Sequence, residues 1–233
     1  MHTAPVGSPP RPPDHRPAAR TAAALALGSA LLLVLVAVGW HPLFGLDGDI
    51  ARTTHRGAVA EPGLTHAFRI LTDWVWDPLT MRLIAAVVVV WLAWRHSAWW
   101  TALWLALTVA LGSMLQQALK AAVDRPRPVW PDPVDSAHYS AFPSGHAMTA
   151  TVVCGLLLWL VHHRGAGPAL WHTALWSAVI SVLGVGVTRV WLGVHWPSDV
   201  VGGWLLGAAL VAGAVSVHHR WAPPPAAPAA PSP

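Results

Sequence analysis

Residues 168–217, PALWHTALWSAVISVLGVGVTRVWLGVHWPSDVVGGWLLGAALVAGAVSV, contain two long apolar runs separated by a short polar segment. Each run approaches the ~20 helical residues that cross the core of a bilayer. The charged side chains of the stretch are Arg189 and Asp199, and both lie in or beside the polar segment. The pattern predicts two membrane-spanning helices joined by a turn that holds polar side chains at one membrane face.

The same pattern extends over most of the chain. Among 233 residues there are 14 Lys or Arg and 10 Asp or Glu, which is too few charges for an ordinary water-soluble protein. Many of the 16 tryptophans lie near the ends of the apolar runs, as expected at a membrane interface. The predicted fold is an all-α integral membrane bundle of six transmembrane helices, at about residues 21–40, 78–94, 97–119, 144–161, 168–188 and 198–217.

The membrane domain is expected over residues 21–217, between two disordered tails. Residues 1–20 are basic and rich in proline, and residues 218–233 end in a Pro/Ala run. The first span also resembles a signal peptide, but its apolar run is long for one, so a retained helix is expected. The second span has a short uncharged core, so Arg82 is expected to extend its side chain towards the interface.

Residues 41–77 form a long polar connection between the first two spans. Five apolar residues in it predict one face of a short interfacial helix, which covers the bundle or forms a lip that admits lipid: Leu64, Phe68, Leu71, Trp74 and Val75. Both tails share one side of the membrane with other basic segments. Since basic short segments favour the cytoplasm, the termini are expected there and the opposite face outside the cell.

Three polar clusters at span ends indicate a function. KAAVDRPRP at residues 120–128 closes the third span, PSGH at residues 143–146 opens the fourth, and residues 188–199 link the fifth and sixth. Because successive spans alternate in direction, all three clusters lie at the same membrane face. Lys120, Arg127 and Arg189 then place three cations together, which repel a metal ion and suit a dianion such as phosphate.

The other polar residues of these clusters suit phosphoryl chemistry. Ser144 and Gly145 begin a helix, where free N–H groups and a hydroxyl can bind a phosphate oxygen. His195 can act as a nucleophile if Asp199, one helical turn later, holds the other ring nitrogen. His146 can protonate the leaving oxygen.

These clusters resemble the signature of the type 2 phosphatidic acid phosphatase (PAP2) family, whose fold is shared with vanadium haloperoxidases. The family pattern is Lys-x6-Arg-Pro, then Pro-Ser-Gly-His, then Ser-Arg-x5-His-x3-Asp. In this chain the pattern is met by Lys120, Arg127-Pro128, Pro143 through His146, Arg189, His195 and Asp199. Thr188 departs from the usual serine but keeps the hydroxyl group.

The resemblance implies that His195 forms a phosphohistidine, with His146 as acid and then base and Asp199 as the residue that orients His195. It implies that the phosphoryl oxygens are held by Lys120, Arg127, Ser144, Gly145 and Arg189. No metal or other cofactor and no nucleic-acid partner is expected. The expected substrate is a lipid phosphate of the bilayer, such as undecaprenyl diphosphate, phosphatidate or phosphatidylglycerophosphate.

Several alternatives fit the residues less well. A serine hydrolase at Ser144 lacks a Gly-x-Ser-x-Gly elbow, and a metallohydrolase lacks a His-Glu-x-x-His motif. A haloperoxidase can use the same anion site, but six spans favour a lipid substrate. A lipid transporter or a non-catalytic lipid-phosphate-binding protein is the alternative function. Arg125 is interpreted as a surface charge, although a diphosphate substrate can recruit Arg125, Arg52 or Arg56 for its second phosphate.

Overall fold

The computed structural model of the chain describes residues 16–221, and every regular element in that range is helical. The helices are α1 (Arg16–Ala37), α2 (His41–Ala60), α3 (Pro62–Ile70), α4 (Pro78–His96), α5 (Trp99–Val123), α6 (Gly145–His163), α7 (Pro168–Trp191) and α8 (Pro197–Trp221). A π-helical turn, Leu71–Val75, joins α3 to the segment that precedes α4.

Six helical segments within the described range are long and apolar enough to cross a membrane, which confirms the predicted all-α six-span bundle. The second of them runs from Pro62 to His96 and so includes α3 and the π-helical turn. Its apolar core is α4, which starts at Pro78 as predicted. The Asp77 carboxylate accepts hydrogen bonds from the backbone N–H groups of Leu79 and Thr80, at 2.6 and 3.2 Å, and so caps this helix.

The predicted tails are wrong at their inner ends. Residues 16–20 belong to α1 and residues 218–221 belong to α8, so both terminal helices extend beyond the expected membrane domain. The remainder of both predicted tails, residues 1–15 and 222–233, lies outside the described residues.

The connection between the first two spans is mostly helical. The predicted short surface helix corresponds to α3 and the π-helical turn, and Leu64 and Trp74 on it are exposed. Phe68 instead contacts the Trp191 ring edge-on, and the Trp191 indole N–H donates to the Thr65 hydroxyl at 3.0 Å. These contacts fasten α3 to the end of α7.

The centre of the bundle is α6, which packs against α4, α5, α7 and α8. Glycines on α8 allow the closest of these approaches, because a Cβ atom at Gly203 would lie 2.8 Å from the Ser144 carbonyl oxygen. A Cβ at Gly207 would lie 3.0 Å from the Met148 carbonyl oxygen. The small-xxx-small spacing brings the two helix backbones together, as is common between helices in membranes. The start of α8 therefore lies beside the start of α6.

Candidate active site

The three polar clusters meet around one cavity of about 550 Å³ at the end of the bundle where α6 and α8 begin. Most of the predicted site residues line it, namely Lys120, Arg127, Gly145, His146, Arg189 and His195. Asp199 lies behind His195 and is fully buried. Ser144 does not line the cavity, because it is buried and its hydroxyl caps α6 at 3.5 Å from the Ala147 nitrogen.

The end of α7 determines where His195 lies. Gly193 has a positive φ of 68°, and its N–H donates to the Val190 carbonyl at 3.0 Å. The N–H of Val194 donates to the Arg189 carbonyl at 3.3 Å. These two bonds form a Schellman motif, which reverses the chain at the helix end. The reversal returns His195 to the cavity that Arg189 also lines.

The contacts of His195 define its tautomer. Nη1 of Arg127 lies 3.1 Å from its Nε2, and an arginine can only donate, so Nε2 must accept with its lone pair. The proton of the neutral ring is then on Nδ1, which lies 3.4 Å from Oδ2 of Asp199. This arrangement places the unprotonated nitrogen, which a nucleophile requires, next to Arg127, and both residues line the cavity.

The surroundings of His195 favour its neutral form. Burial lowers the pKa of His195 well below its usual value. The positive charges of Arg127, Arg189 and Lys120 lower this pKa further. The same cations that suit a phosphate therefore keep the imidazole unprotonated while the cavity holds no anion.

Asp199 occupies the third position of α8 and is held by two hydrogen bonds besides its contact with His195. Its Oδ2 accepts the Trp196 backbone N–H at 2.9 Å, which is the acidic half of a capping box at the helix start. Its Oδ1 accepts a hydrogen bond from Nη1 of Arg125 at 2.7 Å. The carboxylate is therefore fixed before it meets the His195 ring.

The interpretation of Arg125 as a surface charge was wrong. Only 5% of the Arg125 surface is exposed, and its guanidinium bridges Asp199 and Asp47. Its Nη2 lies 2.8 Å from Oδ2 of Asp47. Asp47, on α2, also accepts hydrogen bonds from the Ser198 N–H at 2.9 Å and the Ser198 hydroxyl at 2.5 Å. Arg125 is thus a structural partner of the His195–Asp199 pair and is not free for a substrate.

The three predicted cations differ in how many donors remain free. Arg127 donates to the backbone carbonyls of Tyr139 at 2.8 Å, Val194 at 2.5 Å and His138 at 3.0 Å, so it mainly organises the loop around His195. Lys120 donates to the Ser140 carbonyl and retains two further N–H groups.

Arg189 is the cation most suited to a bound anion. It is 4% exposed, its Nε has no hydrogen-bond partner among the described residues, and its nearest carboxylate, Asp135, lies 3.9 Å away. A buried guanidinium with unused donors is costly unless an anion pairs with it. The free donors of Arg189 on the cavity wall therefore suit a bound anion.

Two further predicted positions have mainly packing roles in this structure. A Cβ at Gly145 would lie 2.6 Å from Nε2 of Gln116, so glycine lets α6 start against α5. Thr188 is buried, donates to the Val185 carbonyl at 2.9 Å and lies 3.0 Å from the Thr72 hydroxyl. Threonine thus keeps the hydrogen bonding that a serine hydroxyl offers there.

Sequence reasoning missed several residues of the site. Asp47 holds Ser198 and Arg125 from the first connection, and Gln116, Asp73 and Asp135 line the cavity. None of them belongs to a recognisable short motif, and Asp47 is far from its partners in the chain. Across residues 16–221 no group of three or more His, Cys, Asp or Glu side chains is arranged to hold a metal ion.

The fold and the cavity together define a multi-pass helical membrane protein with a cavity lined by charged residues at one end of its bundle. The PAP2 superfamily model matches residues 101–223, which is more than half of the chain, and the chain belongs to this superfamily. The fold agrees with a crystal structure of the transmembrane PAP2-type phosphatidylglycerolphosphate phosphatase from Bacillus subtilis. That likeness has a TM-score of 0.76 at 23% identity and covers 86% of this chain and 97% of that one.

Curated relatives match over shorter lengths. The chain is 37% identical to phosphatidylglycerophosphatase B of Bacillus subtilis over 116 residues, which are 48% of this chain and 55% of that protein. It is 37% identical to undecaprenyl-diphosphatase of Sulfolobus acidocaldarius over 81 residues, 34% of this chain and 32% of that one. It is 32% identical to lipid A 1-phosphatase of Rhizobium johnstonii over 119 residues, 47% and 44% of the two chains. The matches thus span about half or less of these relatives.

Replacing Arg125 by Met is expected to destabilise the protein strongly, because it leaves Asp47 and Asp199 buried without their cation. Breaking a buried ion pair in this way costs about 3–5 kcal/mol. Thermal unfolding in detergent measures the effect. The matched control is Arg52→Met, whose ion pair with Asp49 is exposed, so little change is expected. Adding Asp47→Asn to Arg125→Met should recover part of the loss, and an Arg125→Met variant that unfolds like the wild type would contradict this role.

The pKa of His195 predicts that its ring stays neutral as the pH falls through about 6.5, the ordinary histidine value. Because the pKa is lowered in the folded state, protonation is disfavoured and occurs only in more acidic solution. Histidine-selective ¹⁵N NMR in detergent detects this, with the His195 signal assigned by its loss in His195→Gln. Removing one cation, as in Lys120→Met, should move the titration to higher pH. A His195 signal that titrates at or above pH 6.5 in the wild type would refute the prediction.

Proposed function

We propose that this protein is a lipid phosphate phosphatase that works without a metal ion, through a phosphohistidine at His195. The observation that carries the proposal is the buried Arg189 guanidinium, with unused donors, on the same cavity as the neutral ring of His195. An anion site beside a nucleophilic nitrogen is what phosphoryl transfer requires. The names of the three relatives described above, each a lipid phosphatase, support a lipid phosphate as the substrate class.

In the first step, Nε2 of His195 attacks the phosphorus atom and the bond from phosphorus to the leaving oxygen breaks. His146, on the cavity wall, gives its proton to that oxygen. The negative charge of the bound phosphoryl group offsets the surrounding cations, which allows His146 to be protonated. Asp199 accepts the Nδ1–H of His195 and stabilises the positive charge that develops on the ring.

In the second step, water attacks the phosphohistidine and the phosphorus–nitrogen bond breaks. His146, now neutral, takes a proton from the water, and inorganic phosphate leaves. Throughout both steps Arg189 and Lys120 bind the phosphoryl oxygens with their free donors, while Arg127 supplies charge and holds the loop around His195. The backbone N–H of Gly145, in the first turn of α6 on the cavity wall, offers a further donor to the same group.

The position of the cavity supports a lipid substrate. It opens at the end of six apolar helices, so a substrate anchored in the bilayer can present its phosphate there. The start of α1 and the end of α8 lie at the opposite end of the bundle from the cavity, on the same side as the basic residues Arg95 and Arg164. We infer that this basic side faces the cytoplasm and that the cavity faces the outside of the cell.

The experiment is phosphate release by the purified protein, in detergent with EDTA, from phosphatidate, phosphatidylglycerophosphate and an isoprenoid diphosphate. The wild type is expected to hydrolyse at least one of them. His195→Ala is expected to lose at least about a thousandfold in kcat, because the covalent step is removed. His172→Ala, an exposed histidine at the far end of α7, is the matched control and should retain full activity.

Two outcomes would overturn the proposal. Substantial turnover by a folded His195→Ala protein would exclude the phosphohistidine. Binding of lipid phosphate without release by the folded wild type would favour a non-catalytic lipid-phosphate-binding protein.

A further inference from the structure

We propose that Arg82 forms a second phosphate-binding position, so that the substrate of this site carries another phosphate on the leaving-group side of the cleaved one. This inference rests on the proposed phosphatase function and narrows its substrate class. It assigns to Arg82 a role in specificity and not in the chemical steps.

Arg82 lies near the start of α4 and lines the same cavity as His146, His195 and Arg189. It was expected to extend towards the membrane interface, but the side chain is half-buried and its Nε is buried without a hydrogen-bond partner. Among residues 16–221 it takes part in no ion pair. A guanidinium N–H that is shielded from water and has no acceptor is unfavourable unless a ligand pairs with it.

The other arginines proposed from the sequence for a second phosphate are in the wrong place. The Arg125 guanidinium donates hydrogen bonds to the carboxylates of Asp47 and Asp199 and is not available to a substrate. Arg52 is exposed and paired with Asp49 at 2.5 Å, and exposed Arg56 contacts the Thr53 hydroxyl. The walls of the cavity include none of the three, whereas they include Arg82.

The charged residues along the cavity wall, with Arg82 included, give a surplus of one positive charge. Lys120, Arg127 and Arg189 are matched in number by three carboxylates on the same wall, Asp73, Asp77 and Asp135. The Asp77 carboxylate accepts the hydrogen bonds that cap α4, and Asp135 is the carboxylate nearest to Arg189. Arg82 is the fourth cation and gives the wall its surplus positive charge. In this proposal Lys120 and Arg189 hold the cleaved phosphate, and Arg82 holds the second one.

The position of Arg82 indicates on which side of the cleaved phosphate the second one lies. Its neighbour Met81 lines a separate apolar groove of about 410 Å³ between α4, α6 and α7. This groove is also lined by Ile84, Val88 and Leu157. The start of α4 thus borders both the polar cavity and this groove. A phosphate held by Arg82 therefore lies between the reacting phosphate and an apolar tail in the bilayer.

Two kinds of lipid present a phosphate at this place. In an isoprenoid diphosphate the second phosphate follows directly after one bridging oxygen. In a phosphatidylglycerophosphate it is a phosphodiester, separated from the cleaved phosphate by a glycerol unit. Phosphatidate has a single phosphate and leaves Arg82 unused, so it serves as the internal reference.

The test compares kcat/KM of the wild type and Arg82→Gln on farnesyl diphosphate, phosphatidylglycerophosphate and phosphatidate in the same detergent. Loss of a charge-assisted hydrogen bond is expected to lower kcat/KM at least about tenfold on the substrate with the second phosphate. Phosphatidate hydrolysis should stay within about twofold. Arg95→Gln, an exposed arginine at the other end of α4, is the matched control and should change neither.

The outcomes separate the proposal from its alternatives. A selective loss on one of the two-phosphate lipids supports it and names the source of the second phosphate. Equal losses on all three lipids, or no loss on any, overturn it. If Arg82→Gln does not fold, the comparison is repeated with Arg82→Lys, which keeps the charge but lacks the two-pronged hydrogen bonding of a guanidinium. A selective loss of kcat/KM on a two-phosphate lipid again supports the proposal, and its absence overturns it. Failure of the proposed function itself would appear as no release by the wild type from any lipid.

Discussion

Arg125 is buried between two carboxylates, Asp47 and Asp199, and this bridge joins the first connection, the end of α5 and the start of α8. Asp199 in turn lies against the ring of His195. Neither carboxylate can be buried in this way without the guanidinium, because an unpaired charge in an apolar surrounding is strongly unfavourable. The geometry of the proposed nucleophile therefore depends on an ion pair network that extends away from the cavity, into a helix that carries no part of the motif.

The cavity combines the neutral imidazole of His195 with cations that keep free donors. The positive charge of these cations is one reason why the imidazole stays neutral. Arg127 aims a donor at Nε2 of His195, which requires the lone pair there, and burial with the positive charge of its neighbours keeps the ring unprotonated. Arg189 keeps donors free for an incoming anion. A bound phosphate would satisfy the cations and meet the lone pair of His195 at the same time. Binding and activation are thus two consequences of one charge distribution.

Much of this organisation was predictable from the sequence, for physical reasons that are local. A span must be apolar over its whole length, so hydropathy identified the helices, and their alternation placed Lys120, His146 and His195 at one face. The roles of Arg125 and Arg82 were not predictable in the same way. Arg125 and Arg127 look alike in the chain, and only the packing of α2 shows which of them is buried against carboxylates. Arg82 stands outside every motif, and its place on the cavity wall follows from how α4 packs against α5 and α6.

The central claim is a covalent phosphohistidine at His195, and trapping it is the most direct measurement. A His146→Ala variant can be mixed with p-nitrophenyl phosphate, whose leaving group needs no proton, so that the phosphoenzyme forms but is hydrolysed slowly. Alkaline quenching, which preserves phosphohistidine, is followed by digestion and mass spectrometry. The account predicts a phosphoryl group on the peptide that contains His195, and its absence when His195→Gln is added. A phosphoryl group on Ser144 or another side chain, or release of p-nitrophenol without any covalent phosphate on the protein, would contradict it.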